Sequence, residues 1–325
     1  MRAYLVEEAD GDFVKADLPL PTLNETDVLI RVHATAVNPL DTKIRAGKAA
    51  HARQPLPAVL GIDVAGVVEQ TGPNVSAFRR GDEVYGMVAG VGGLQGTLAE
   101  FVAADSRVLA HKPRRLSMRE AAALPLITIT AWEGLVDRAK VRTGQAVLVH
   151  AGAGGVGHVA VQLAAAFGAQ VFATVSPDKR HIVENLGATP IDYRALPVKD
   201  YVAKFSHGEG FDIVYDTVGG TTLDASFAAV KHYVGHVVSC LGWGTHSLAP
   251  LSFRGASYSG VFTLLPLLSG NDRPHHGEIL ARAGLLADAG KLRPFLNERR
   301  FTSDEIAAAY AMVESGAAGK IVIDF

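Results

Sequence analysis

Cysteine is nearly absent: one residue, Cys240, in a chain of 325. That excludes an internal disulfide framework and any metal site built on several cysteines. A charge excess of either sign is missing too, since 31 Lys and Arg face 33 Asp and Glu for a formal net charge of −2. With no long block of like charges, neither nucleic acid nor a membrane surface is expected as a partner. Long apolar runs are also lacking. The two longest, AAALPLITITAW and GVFTLLPLL, fall short of the roughly 20 residues a membrane helix needs and carry Pro and Thr. The opening MRAYLVEEADGD turns acidic early and has no apolar segment ahead of a cleavage site, so a cytoplasmic protein is expected. No internal repeat or low-complexity tract occurs. What remains is an ordinary soluble composition, 48% hydrophobic and 20% charged, in a chain too long for one comfortable core. Two domains and a small neutral or phosphate-bearing ligand are the expectation.

The character of the chain changes along its length. Up to about Met118, short β-type runs (AYLVEE, DVLIRVHATAV, DVAGVVEQTG, DEVYGMVAG, TLAEFVAAD) alternate with turn signals such as Thr71-Gly72-Pro73-Asn74 and Gly81-Asp82. They predict an irregular all-β unit. Beyond it, helix patterns alternate with the compact runs AVLVHA, QVFATV, FDIVYDTV and HVVSCLG, the pattern of a parallel sheet covered by helices on both faces. Near the end, HHGEILARAGLLADAGKL and SDEIAAAYAMVESGAAGK predict helices, the second opened by Ser303 and Asp304 and followed by the strand IVIDF.

One stretch of the second half carries chemistry. AVLVHA reads as a strand, Gly152-Ala153-Gly154-Gly155-Val156-Gly157 supplies G-x-G-x-x-G, and VGHVAVQLAAAFGA reads as the helix that follows. Gly152 permits the tight turn, Gly154 lets backbone amides approach a pyrophosphate, and Gly157 lets the helix lie close to the sheet. Such a turn alone is also an ordinary βα connection; in this order of elements it predicts dinucleotide binding. The next strand ends Thr174-Val175-Ser176 with no carboxylate, and Lys179 and Arg180 follow. A 2′-phosphate would find charge-assisted partners there, so NADPH is expected over NADH. Lys179 and Arg180 are equally readable as solvated residues opening a surface helix, and Asp178 as an acidic partner for a ribose hydroxyl.

Seven motifs in one order make the chain resemble the medium-chain dehydrogenase/reductase superfamily, and within it the zinc-free quinone oxidoreductase group. They are AVNPLDTKIRAG (36–47), PAVLGIDVAGVVEQTGPNV (57–75), RRGDEVYGM (79–87), AAALPLITITAW (121–132), AGAGGVG (151–157), DTVGG (216–220) and GKIVIDF (319–325). The resemblance implies an α/β chain with a GroES-like β domain over 1–118, completed by 266–325 as the C-terminus returns to it. A Rossmann domain would span 119–265, with the active site in the cleft between the domains. It also implies hydride transfer from NADPH to a quinone or an α,β-unsaturated carbonyl. Asn38, Asp41 and Lys43 in NPLDTK would line the cleft, with Asn38 donating to the substrate oxygen and Asp41 orienting Lys43 or a water. Tyr85 is the other candidate proton donor, although a packed strand tyrosine would look the same. Gly152, Gly154, Gly155, Val156 and Gly157 would hold the pyrophosphate. Thr130 would meet the nicotinamide half, Ser176, Lys179, Arg180 and Tyr193 the adenosine phosphate. Val218, Leu241, Gly242 and Phe262 would line the nicotinamide channel, and Lys320 would contact phosphate or substrate.

No metal is expected. Where the zinc alcohol dehydrogenases of this superfamily have their first cysteine, this sequence has Asn38, and in place of Gly-His-Glu it has Gly61-Ile62-Asp63. The four-cysteine structural site is missing, and His33, His51 and His111 show no ligand spacing with Asp63. Conjugation already spreads the charge left by hydride addition, so a hydrogen-bond donor can replace a Lewis acid. A glycine-rich segment, residues 89–96, reads as a mobile loop, and Trp243, Phe262, Leu264 and Leu265 suggest an apolar pocket for planar substrates. Cys240 reads as a small core residue. Edge pairing through GASYSGVFTL would give a homodimer. Two other readings stay open: an NADPH-binding structural or regulatory protein with little turnover, and a zinc-dependent alcohol dehydrogenase.

Overall fold

Short β-branched runs between Gly and Pro turns become strands because only extended backbone packs such side chains on both faces. The computed structural model describes residues 1–325. In chain order the first half forms β1 (Arg2–Val6), β2 (Phe13–Asp17), β3 (Asp27–Val37), α1 (Pro39–Arg45), β4 (Ala58–Val59), β5 (Asp63–Thr71), β6 (Glu83–Met87), β7 (Phe101–Asp105) and β8 (Leu109–His111). β1 lies between β2 and β4 in a small antiparallel sheet. The hub is β3, antiparallel to both β5 and β7, with β6 and β8 continuing beyond β5. Nearly every β3 residue is buried, so its DVLIRVHATAV run reads as almost continuously apolar; register shifts after Leu29 and Val32 interrupt its pairing with β5, the places where such a strand bends. Residues 89–96, expected to be mobile, are clasped. Gln54 accepts from Gly93 N–H at 2.9 Å and donates to Leu94 O at 3.2 Å, while Gly92 N–H donates to Ala52 O at 2.9 Å.

Two short helices follow, α2 (Met118–Ala122) and α3 (Pro125–Trp132). Ser117 and Glu120 cap α2 reciprocally: each accepts the other's backbone N–H, at 3.2 and 2.8 Å. α2 packs on β3 and β5, so the division of the chain falls later than expected: one unit is Met1–Leu126 with Leu264–Phe325, the other Ile127–Thr263.

The second unit alternates strand and helix: β9 (Ala146–Val149), α4 (Gly155–Ala166), β10 (Gln170–Val175), α5 (Arg180–Asn185), β11 (Thr189–Asp192), α6 (Val198–Ser206), β12 (Ile213–Asp216), α7 (Thr221–Ala229), β13 (His236–Ser239), α8 (Ala249–Arg254) and β14 (Ser257–Gly260). All six strands are parallel, in the order β11-β10-β9-β12-β13-β14. The order reverses between β9 and β12, the switch point at whose carboxyl edge open α/β sheets bind ligands. One face of the sheet packs Leu148, Phe172, Val214 and Val237 against Phe211 and Phe227.

The chain then re-enters the first unit as α9 (Leu265–Ser269), α10 (Arg273–Asp288), β15 (Phe301–Thr302), α11 (Ile306–Glu314) and β16 (Ile321–Asp324). Ser303 and Asp304 form a single 3-10 turn before α11, capped by the Glu305 carboxylate on Thr302 N–H at 3.2 Å. β16 lies antiparallel to β3, with Ile321 opposite Val37. The buried Arg119 of α2 donates to Val322 O and Asp324 Oδ2, each at 3.1 Å, and ties the returning strand in place. No helix is long and apolar enough to cross a membrane.

Candidate active site

The glycine turn between β9 and α4 has the close packing its sequence requires. A Cβ on Gly157 would stand 2.1 Å from Ala151 O, and one on Gly152 would stand 2.5 Å from the Ala173 Cβ; Gly154 is the residue before the first helical turn. Ala151 takes φ 51°, strained for a non-glycine. Its N–H donates to Thr174 Oγ1 at 3.1 Å, and His150 Nδ1 lies 3.2 Å from the same hydroxyl. Burial lowers the pKa of His150 to about 4, so the ring is neutral beneath the turn. His158 Nδ1 donates to Gly154 O at 2.9 Å and steadies the loop from the helix side. This arrangement fits a pyrophosphate: Gly154 to Gly157 open α4, Gly155 is exposed, and side chains are missing where a phosphate would approach.

At the carboxyl edge of the neighbouring strands, the register pairs Val175 with Asp192 and brings Ser176 to Lys179 beside Tyr193 and Arg194. Tyr193 is 52% exposed with the Arg194 guanidinium 5.8 Å from its ring centre. Asp178 is bonded to the Ser176 hydroxyl and faces Lys179 and Arg194, which hold its carboxyl below the usual range, the serine bond most of all. Arg180 points elsewhere: one turn along α5, Glu184 takes its Nε at 2.8 Å. Arg194 is the cation that the sequence reading passed over. It follows a different strand, and only parallel pairing of β10 with β11 puts it beside Lys179.

The residues expected at the nicotinamide half belong to the same unit and differ in exposure. Thr130 is buried, with Oγ1 3.0 Å from Thr263 Oγ1, which in turn donates to Glu133 at 3.1 Å. Val218 is 47% exposed because Asp216 draws its N–H and that of Gly219 into a tight turn. Leu241 and Gly242 follow β13, and Phe262 meets Trp243 edge to face at 6.1 Å. Leu264 is buried and Leu265 exposed, so the four expected pocket residues do not share one environment. Cys240 is partly buried with Sγ 3.9 Å from Asp216 O, and burial pushes its thiol up to about 12.

In the first unit the candidate catalytic residues separate. Asn38 precedes α1 but turns its side chain away from the helix. Its Nδ2 donates to Asp63 Oδ2 at 3.0 Å, and its Oδ1 accepts a short hydrogen bond from Lys320 Nζ. Asp41 caps α1 instead, its Oδ2 accepting Asn38 N–H at 2.8 Å. Asp63 Oδ1 accepts Leu126 N–H at 2.9 Å. All four side chains are buried. Burial raises Asp41 to about 7 and Asp63 to about 6 and lowers Lys320; mutual attraction only partly offsets it.

Lys43, two residues beyond Asp41, falls on the exposed side of α1 and does not join the cluster. The cation beside Asn38 is Lys320, read from sequence as a phosphate or substrate contact. Tyr85 is 1% exposed and donates its hydroxyl to Leu280 O at 2.7 Å; burial raises its pKa, so the geometry makes it a core residue and not a proton donor. No three His, Cys, Asp or Glu side chains gather as a metal-holding group.

Residues 24–114 match the family described as alcohol dehydrogenase GroES-like domain, and residues 155–266 the family described as zinc-binding dehydrogenase. The NADPH-dependent alkenal/one oxidoreductase of Arabidopsis thaliana is 35% identical over 99% of this chain and 79% of its own length. The quinone oxidoreductase of Homo sapiens is 30% identical over 99% and 97%. A solved alcohol dehydrogenase superfamily protein from Novosphingobium aromaticivorans superposes with a TM-score of 0.98 at 55% identity, covering 100% of this chain and 99% of that one. The glycine turn, the parallel sheet, the returning β16 and these relatives agree: the chain belongs to the medium-chain dehydrogenase/reductase superfamily and is an oxidoreductase.

Proposed function

We propose that the protein reduces the conjugated carbon of an enone or a quinone with NADPH, without a metal. The observation that carries this reading is the paired edge of β10 and β11: β10 ends without a carboxylate, and Lys179 and Arg194 gather there around Asp178. A 2′-phosphate matches two cations, whereas a bare ribose would favour a carboxylate at Val175 or Ser176. The named relatives support the acceptor class. When bound, NADPH supplies hydride from nicotinamide C4.

The chain's own groups do the rest. The amides opening α4 hold the pyrophosphate, and Lys179 and Arg194 hold the 2′-phosphate, joined by the Ser176 hydroxyl when its proton turns from Asp178 to the phosphate. The Tyr193 ring packs against the adenosine. Thr130, Val218, Leu241, Gly242 and Phe262 orient the nicotinamide half. Asn38 has two amide N–H bonds, one used on Asp63; we assign the second to the oxygen that gains charge.

Zinc does not fit the first unit. The Lys320 ammonium already bonds Asn38 Oδ1, and a divalent ion beside it would meet a fixed positive charge with two carboxylates and one amide as its only donors. A homodimer through β14 completes the reading: this strand is the open edge of its sheet, and Tyr233 and Phe253 beside it are 88% and 84% exposed. Sedimentation equilibrium at low micromolar concentration tests it, and a monomer there removes it.

NADPH oxidation followed by absorbance in chelator-treated buffer, with a simple quinone and a 2-alkenal as acceptors, tests the activity. Turnover above the uncatalysed rate with neither acceptor would overturn it. The cofactor reading has its own test in direct binding titrations. Lys179→Ala combined with Arg194→Ala should weaken NADPH about a hundredfold and leave NADH within about threefold, because charge-assisted bonds to the phosphate are lost. Equal weakening of both would place these cations outside the phosphate site.

A further inference from the structure

Residues 240–248 join β13 to α8 and carry Trp243, 53% exposed, whose indole meets Phe262. Gly242 and Gly244 flank the tryptophan, the former packed close to the Tyr258 hydroxyl and the latter at φ +100°, a conformation that favours glycine. His246 adds a restraint on the tryptophan's backbone. Its Nδ1 lies 2.8 Å from Asp224 Oδ1 on α7, and its Nε2 lies 3.2 Å from the Trp243 carbonyl oxygen. A carboxylate and a carbonyl only accept hydrogen bonds. Neutral imidazole has one N–H and satisfies one of them; both bonds form together only on the imidazolium.

We propose that His246 is a positioning residue: its charged form clasps the Trp243 carbonyl to α7 and fixes the indole as an apolar wall for a planar acceptor, and loss of its proton opens the clasp. The proposal rests on the reading of this unit as the nicotinamide and acceptor site. The electrostatics agree in direction. The Asp224 bond first, then the Trp243 carbonyl, raises the His246 pKa against a small desolvation penalty, and the charged groups that face the ring are Asp224 and, farther off, Asp216. A raised value means that the clasp is complete at low pH and is lost as pH climbs past the ordinary histidine value of about 6.5.

The chain offers its own reporter, because it has only two tryptophans and the other, Trp132, is 4% exposed. In a Trp132→Phe background, Trp243 emission and anisotropy titrated from about pH 5.5 to about 9 should give one transition centred above the ordinary histidine value. Asp224→Asn should move the midpoint down, and His246→Gln should abolish it. In the full-length enzyme, His246→Gln should raise KM for the acceptor about fivefold near pH 6 with kcat within about twofold, the difference closing at high pH where the native clasp is open as well. A Trp243 titration unchanged by His246→Gln overturns the clasp. A clasp confirmed by fluorescence with a KM ratio flat across pH overturns the wall. Absence of turnover with every acceptor sinks the acceptor reading instead, and the fluorescence titration still decides the clasp.

Discussion

Replacing Lys320 with methionine is expected to cost about 3–5 kcal/mol of folding stability near pH 8, and much less near pH 5. The side chain is 5% exposed, and its ammonium is the cation that faces both Asp41 and Asp63. Methionine keeps the apolar stem and removes the charge, which leaves two carboxylates in a dry interior with only neutral donors, Asn38 and the Leu126 N–H, to receive them. The pH dependence follows from proton binding. Burial raises both carboxyls from 3.8, to about 7 for Asp41 and about 6 for Asp63. A raised group contributes stability that is complete below its unfolded value and is lost as pH rises through its folded value. In the variant both carboxyls lose an attractive partner and hold their protons more tightly, so the extra loss grows through the same window and fades below it. Urea midpoints at the two pH values, with an unchanged m-value, measure the difference. A loss of equal size at both would mean that Lys320 contributes packing and no charge compensation.

Alanine at position 157 should all but abolish dinucleotide binding, by about two orders of magnitude or more, and destabilise the apo chain by about 1–3 kcal/mol. The added methyl would stand 2.1 Å from Ala151 O, 2.9 Å from Ala151 C and 3.0 Å from Gly152 Cα, all backbone, so the clash is relieved only by lifting the turn off α4. Gly154→Ala is the contrasting change. Its nearest neighbour would be Ala151 O at 3.0 Å, so the apo chain should unfold within about 0.5 kcal/mol of native while NADPH binding still weakens, because the methyl occupies the phosphate's approach. NADPH fluorescence titrations and thermal unfolding without dinucleotide separate the two effects. Equal losses of stability in both variants would mean that Gly154 is a packing glycine as well, and that its place in the phosphate cradle is unsupported.

Legibility of the site tracked the sequence distance over which its parts interact. The turn from His150 to Gly157 and the missing carboxylate after β10 were visible because strand, turn and helix are consecutive, and each residue's task depends on neighbours a few positions away. Boundaries suffered where packing intervened. Residues 119–126 look like the start of the helical half, yet α2 lies on β3 and β5 and goes with the first unit. Lys43 stands in the NPLDTK motif, but a helix puts residues two apart on different sides, and the motif conceals that. Tyr85 looked like a candidate donor because a strand pattern does not reveal that α10 offers its hydroxyl the Leu280 carbonyl.

By itself, then, the sequence determined the two-part architecture and the dinucleotide turn, since both follow from local periodicity and from glycines that only a close backbone approach requires. Tertiary structure decided the charge arrangement. Lys320 meets Asn38 across 282 residues because Ile321 of β16 lies opposite Val37 of β3, and Arg194 joins Lys179 because β11 runs parallel to β10. Register between distant strands is set by which faces are buried in the finished core, and no spacing along the chain records it.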